Sequence, residues 1–313
     1  MRILGLLLLI GGIYSCQNAK EENKEHKKTP PAEKEYLVAY NIHLPDTTVD
    51  DWEIMVTDTE GRRKTNITQH PDVAWTYHAI KNKIFFISDR DTTYRNYFLY
   101  EMNTEGKTVR KISGLRLEDS WMSSRNNGKE IRYQLFLLNT ETGEFNPFHH
   151  DTSARFSDPC FSPDGKKVVF SMQKNKRDKN SHEELFVMDA NSGDARQITF
   201  YPEENVSARE YGYKAGAPRW HPTENFISYV SFQDGKNQIL AVSPDGKKQW
   251  KLFETELSAG WHDWSSDGKW LTFNGTSDDK QFHIYLMNWK TKEVKQLTNN
   301  SYSSQLGPVF IEK

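Results

Sequence analysis

The chain has 313 residues, 36% hydrophobic and 27% charged, with a formal net charge of -2. That apolar fraction excludes a protein of many membrane spans, and the balanced charge lacks the basic footprint of backbone-driven nucleic-acid binding. Two cysteines exclude a disulfide framework and a thiolate zinc cluster, whereas 13% aromatic residues, with 9 Trp among them, argue for a packed core.

The first predicted element is a targeting segment. Arg2 precedes an apolar run of 11 residues, Ile3 to Ile13. That is about half of the ~20 residues a membrane-spanning helix needs, and it suits the core of a signal peptide. Ile13-Tyr14-Ser15-Cys16 then places a small residue directly before a cysteine. This resembles the bacterial lipobox, in which cleavage frees the cysteine for lipidation. Residues 1–15 are therefore expected to be a lipoprotein signal peptide; the alternative is an ordinary signal peptide cut near Ser15. Gln17 to Glu35 carries five Lys, five Glu and Thr29-Pro30-Pro31, with no aliphatic side chain larger than Ala. Residues 16–35 are expected to form a disordered tether behind a lipid anchor on Cys16.

Residues 36–313 read as a repeat used six times. The clearest unit has an alternating run, an Asp or Asn, a turn, and a short strand ending in Ile/Leu-Thr, as three of the six copies do. Glu184-Leu-Phe-Val-Met-Asp189-Ala-Asn-Ser-Gly193 leads into Arg196-Gln-Ile-Thr199, and His283-Ile-Tyr-Leu-Met-Asn288 leads into Lys295-Gln-Leu-Thr298. Gly61, Gly106, Gly143, Gly193 and Gly246 mark the turns at intervals of 37 to 53 residues. A second hairpin lies upstream of each. Phe161-Ser-Pro-Asp-Gly165-Lys-Lys-Val-Val-Phe170 and Trp264-Ser-Ser-Asp-Gly268-Lys-Trp-Leu-Thr-Phe273 are its sharpest copies. Two hairpins per repeat of about 46 residues make four strands, the arithmetic of a β-propeller blade.

The ends of this region set the blade count. The first repeat lacks its opening strand and starts at Tyr36-Leu-Val-Ala-Tyr40. Gly307-Pro-Val-Phe-Ile311 matches the opening strands Asp158-Pro-Cys-Phe161 and Ala217-Pro-Arg-Trp220. The expected fold is all-β: a six-bladed β-propeller of four-stranded blades, closed by the C-terminal strand completing the N-terminal blade.

The Phe/Trp-Ser-Pro-Asp-Gly-Lys-Lys turn, and the Val-Met-Asp strand followed by Gln-Ile/Leu-Thr, resemble the WD40-like repeats of the TolB propeller family. The likeness covers residues 36–313 and is sharpest in 158–200 and 258–313. The TolB protein carries an α/β domain ahead of its propeller, where this chain has the short tether. The same repeats build the propeller of prolyl-oligopeptidase-type peptidases, but no Gly-x-Ser-x-Gly occurs here.

Strand order within a blade, A to D, puts the A–B and C–D turns on one face and the B–C and D–A loops on the other. The second face carries the long segments and is expected to be the binding face, with a funnel at its centre. Its candidate partner-binding residues are Arg209, Tyr211, Tyr213 and Lys214 in the longest D–A connection, and Trp261 and His262 at the opening of the sixth blade. Tyrosines beside cations suit recognition of a protein or a glycan. His262 replaces the proline of Pro159, Pro218 and Pro308, which makes it a candidate ligand or acid/base group, or else a buried, hydrogen-bonded histidine. His149-His150 lacks a visible third metal ligand. Asp89-Arg90-Asp91 and Asp278-Asp279 lack an EF-hand-like series, so no metal or other cofactor is expected.

The expected function is a non-enzymatic scaffold, tethered in the envelope of a diderm bacterium, that binds an envelope protein or peptidoglycan-associated partner. The resemblance to TolB implies partners of the envelope-integrity or translocation type. The alternative is a carbohydrate-active or carbohydrate-binding propeller, similar to the oligogalacturonate lyases, with a funnel site around His262. Nucleic acid is not an expected partner, and the membrane is contacted through the lipid alone.

Overall fold

The computed structural model describes residues 34–45, 51–134, 136–147, 153–178, 181–200 and 215–313. Blade one holds β1 (Tyr36–Leu44), β2 (Asp51–Asp58) and β3 (Lys64–Asn66). Blade two holds β4 (Ala74–Ile80), β5 (Lys83–Ser88), β6 (Phe98–Asn103) and β7 (Arg110–Lys111). Blade three holds β8 (Met122–Arg125), β9 (Glu130–Tyr133), β10 (Phe136–Asn139) and β11 (Phe145–Pro147). Blade four holds β12 (Arg155–Phe161), β13 (Lys167–Gln173), β14 (Glu183–Asp189) and β15 (Ala195–Gln197). Blade five holds β16 (Gly216–Trp220), β17 (Ile227–Gln233), β18 (Lys236–Val242) and β19 (Gln249–Lys251). Blade six holds β20 (Ser258–Trp264), β21 (Trp270–Thr276), β22 (His283–Asn288) and β23 (Val294–Gln296).

The last strand, β24 (Gln305–Glu312), returns to blade one. The order there is β24-β1-β2-β3, and every other sheet runs in simple chain order. Six four-stranded antiparallel blades therefore form the ring, closed by the C-terminal strand as the repeat pattern predicts. Among the described residues the one helical element is a 3-10 turn at Asn126–Gly128, and no helix is long and apolar enough to cross a membrane.

Each piece of the repeat has a physical job. The second and third strands of a blade are buried over most of their length, because neighbouring blades cover both faces; β2 and β14 are examples. The outermost strands are two or three residues long and largely exposed, as in Arg110–Lys111 and Gln249–Lys251. Short, charged outer strands leave little edge on which a second chain could pair.

The Ile/Leu-Thr signature sits just past these outer strands. Ile67, Ile198 and Leu297 are buried. The following threonines turn their hydroxyls back into the blade: Thr68 Oγ1 accepts the Ile54 N–H at 2.9 Å, Thr199 Oγ1 that of Leu185 at 2.8 Å, and Thr298 Oγ1 that of Ile284 at 2.9 Å.

The glycine turn of one blade docks on this signature in the blade before it. Gly106 has φ +73°, and a Cβ there would lie 1.9 Å from the Ile67 carbonyl oxygen. Gly61 of blade one meets Leu297 of blade six in the same way, at 2.5 Å, so the repeated contact also spans the closure. The Phe/Trp positions Phe161, Trp220, Trp264 and Phe310 are buried as well. Their inner strands are stitched around the axis: Ser123 Oγ accepts the Phe161 N–H at 2.9 Å, and Asp263 Oδ2 accepts the Phe310 N–H at 2.9 Å.

Candidate functional site

The inner strands β12, β16, β20 and β24 break register near their entry. The shifts fall between Ser157 and Cys160, Gly216 and Arg219, Ala259 and His262, and, on the β1 partner of β24, Ala39 and Asn41. A bulge re-aims the side chains that follow it. Asp158, Ala217 and Gly307 take up the bulge with φ of 54°, 47° and 60°. Trp261 stands at the matching place in β20.

Two cavities open where these inner strands begin and where the B–C loops arrive, on the face that strand order marks as the binding face. One has a volume of about 380 Å³ and is walled by Trp52, Trp75, Tyr77, Trp121 and Trp261, with Asp119, Arg95 and Arg155 among its charged groups. The other, about 540 Å³, has Val230, Phe232, Phe282 and Leu306 in its walls. Asp158, Glu183 and Trp261 line both.

The aromatic wall is assembled from four blades. Trp52 and Trp75 lie 4.5 Å apart between ring centroids, Trp75 and Tyr77 6.1 Å, and Tyr77 and Trp121 5.5 Å. Trp261 meets Trp75 at 5.9 Å and 88°, and Trp121 at 6.3 Å and 65°, both edge-to-face. Such pairs hold rings in place beyond simple area burial. Trp261 is nevertheless 37% exposed. The Tyr77 hydroxyl donates to Asp119 Oδ1 at 2.5 Å. The Trp75 indole nitrogen is buried without a hydrogen-bond partner.

The carboxylates are oriented by short bonds. Asp158 accepts the Trp121 N–H on Oδ1 at 2.9 Å and the Ala217 N–H on Oδ2 at 3.1 Å, which links blades three, four and five. Glu183 Oε1 accepts the Ser157 hydroxyl at 2.8 Å. Near the axis Arg219 Nε lies 3.6 Å from Asp263 Oδ1, and its guanidinium sits 4.2 Å from the Trp121 ring centroid. Burial pushes the Asp263 carboxyl up, and Arg219 opposes the shift.

The candidate residues divide accordingly. Trp261 lines both cavities. His262, one residue on, lines neither: its ring is fully buried and Nε2 lies 2.7 Å from Ser228 Oγ of blade five. Burial first, and Arg219 second, hold its pKa well below the ordinary 6.5. A sugar site organised by His262 would need that ring in the funnel. Arg209, Tyr211, Tyr213, Lys214 and Cys16 lie outside the described residues, as does His149-His150.

Asp89 organises its loop, accepting the Val73 and Arg95 N–H groups, and Asp278 accepts those of Lys280 and Gln281. Among the described residues no three His, Cys, Asp or Glu side chains converge on a point that could hold a metal ion. Sequence reasoning missed Trp52, Trp75, Tyr77 and Trp121 as one wall. The available signal was a Trp at the entry of the inner strands of blades two, three and six, ahead of the buried Phe/Trp position.

A closed ring of six four-stranded blades, with an aromatic funnel on the long-loop face, defines a six-bladed β-propeller. Residues 129–305 match the TolB beta propeller domain (PD40), and the chain belongs to that family. It is similar to TolB from Acinetobacter baumannii, with a TM-score of 0.67 at 14% identity over 88% of this chain and 66% of that one. It also resembles an oligogalacturonate lyase from Vibrio parahaemolyticus, with a TM-score of 0.51 at 15% identity over 80% of this chain and 72% of that one. These likenesses are likenesses of fold. An uncharacterized peptidase of Bacillus subtilis, YuxL, is 24% identical over 58% of this chain, which spans only 24% of the peptidase.

Proposed function

We propose that this propeller is a non-catalytic binding scaffold that engages a protein or peptidoglycan-associated partner through the face bearing the funnel. The observation that carries this reading is the pair of cavities meeting at Trp261. A large ring with a polar tip, partly exposed and fixed by its neighbours, has the character of an interface anchor. In the same proposal residues 1–15 are a signal peptide, Cys16 carries a lipid, and residues 16–35 tether the ring to the bacterial envelope. Arg209, Tyr211, Tyr213 and Lys214 would add to the same face.

The test is crosslinking and capture from envelope extracts with the full chain. Wild type should recover one or more envelope proteins. Trp261→Ala should recover at least tenfold less while melting at the same temperature. Equal recovery by the variant, or no envelope protein with wild type, overturns the reading.

A further inference from the structure

The larger cavity differs from its neighbour in charge. Among the described residues its charged lining consists of Asp158 and Glu183, with no basic side chain. Arg95 and Arg155 line only the smaller one. Glu183 spends Oε1 on the Ser157 hydroxyl. Its Oε2 takes no hydrogen bond among the described residues. Trp261 lines the cavity together with both carboxylates, its ring held by Trp75 and Trp121. The lining also includes the apolar side chains of Val230, Phe232, Phe282 and Leu306, beside the neutral polar Ser231, Asn237 and Asn274.

We infer that the larger cavity receives a basic side chain, lysine or arginine, presented by a peptide segment of the partner. The inference rests on the binding reading above and adds the chemistry of the anchor. The Trp261 ring and the Glu183 carboxylate both favour a cation, and among the described residues the larger cavity brings none to them, Arg95 and Arg155 lining only the smaller cavity that they also share. An anion would meet two carboxylates there. The apolar side chains of the lining suit a methylene stem, which long basic side chains bury while the head group keeps polar contacts. The aromatic wall of the smaller cavity already holds one cation on a ring, the Arg219 guanidinium over Trp121.

The probes are Nα-acetyl-lysine N-methylamide and its norleucine and glutamate counterparts, titrated into the full chain. The readout is the indole N–H resonance of Trp261, assigned by its loss in Trp261→Phe. The lysine probe should shift that resonance saturably. The norleucine probe should bind at least tenfold more weakly, and the glutamate probe should not bind. Glu183→Gln should bring the lysine probe to the norleucine level without altering the melting temperature, since the amide oxygen can still accept from Ser157.

Equal affinity for lysine and norleucine, no shift with lysine, or an unaffected Glu183→Gln each overturn the inference. The two readings fail separately. Should Trp261→Ala lose the captured partner while Glu183→Gln keeps it, the binding face stands and the basic anchor falls. Should wild type capture nothing, the partner reading falls, and the lysine titration still decides whether the cavity takes a cation.

Discussion

His78 and His262, the first half-buried and the second fully buried, each meet a serine of an adjacent blade, His78 Nε2 lying 2.8 Å from Ser124 Oγ and His262 Nε2 2.7 Å from Ser228 Oγ. Burial pulls the His78 pKa from the ordinary 6.5 down to about 3, with Arg219 adding to the shift. A histidine held neutral in the fold contributes stability that is complete above its unfolded pKa and is lost as pH falls through it. The loss grows by about 1.4 kcal/mol per pH unit. By pH 5 His78 alone should therefore cost about 2 kcal/mol. Asp51 works in the opposite direction: its carboxyl, raised to about 6 mainly by burial, favours the fold on acidification. Melting temperatures of wild type and His78→Gln at pH 7, 6 and 5 separate the two, and the variant should show the shallower acid loss. A parallel decline in both proteins would refute this account of His78. The sequence marked His262 as a break in the repeat, and the break is real, since an imidazole occupies the proline position. What it could not reveal is the side of the strand. Slipping one residue reverses the facing of a side chain, and the bulge between Ala259 and His262 sends Trp261, rather than His262, to the cavity.

At the scale of the element the closing strand β24 carries the greatest weight. It pairs with β1 from Tyr36↔Glu312 to Ile42↔Gln305, and Val309, Phe310 and Ile311 are buried. Asp263 of β20 holds it from the side through the Phe310 N–H, while also facing Arg219. Asp263→Ala would leave a buried donor and a guanidinium without this acceptor, at a cost of about 1–3 kcal/mol. A melting temperature several degrees lower is expected, and an unchanged one would remove Asp263 from the latch. Repetition made these elements legible: the glycine turns, the Phe/Trp position and the opening-strand motif each recur with a fixed physical task. The looser copy at Met122-Ser-Ser-Arg-Asn-Asn-Gly128 shows how far the pattern stretches, for its turn is a 3-10 segment with Asn127 at φ 57°.

At the scale of the molecule each blade is packed against the next, and the Gly61–Leu297 contact continues the series across the closure. Unfolding should consequently be a single cooperative event, with far-UV dichroism and tryptophan fluorescence giving superimposable melts. Separated transitions would mean that the blades unfold as independent blocks. The funnel was less legible than the ring, because Trp52, Trp75, Trp121 and Trp261 come together only through closure. The pairing of β1 with β24 also has a consequence in time. β1 is among the first strands of the ring to leave the ribosome, and the partner for its axial edge is the last. At about 5–20 residues per second that edge waits roughly half a minute for Gln305–Glu312. Until Gln305–Glu312 arrives, that edge is open to pairing with another chain, so the order in which the ring is synthesised sets how long the hazard lasts.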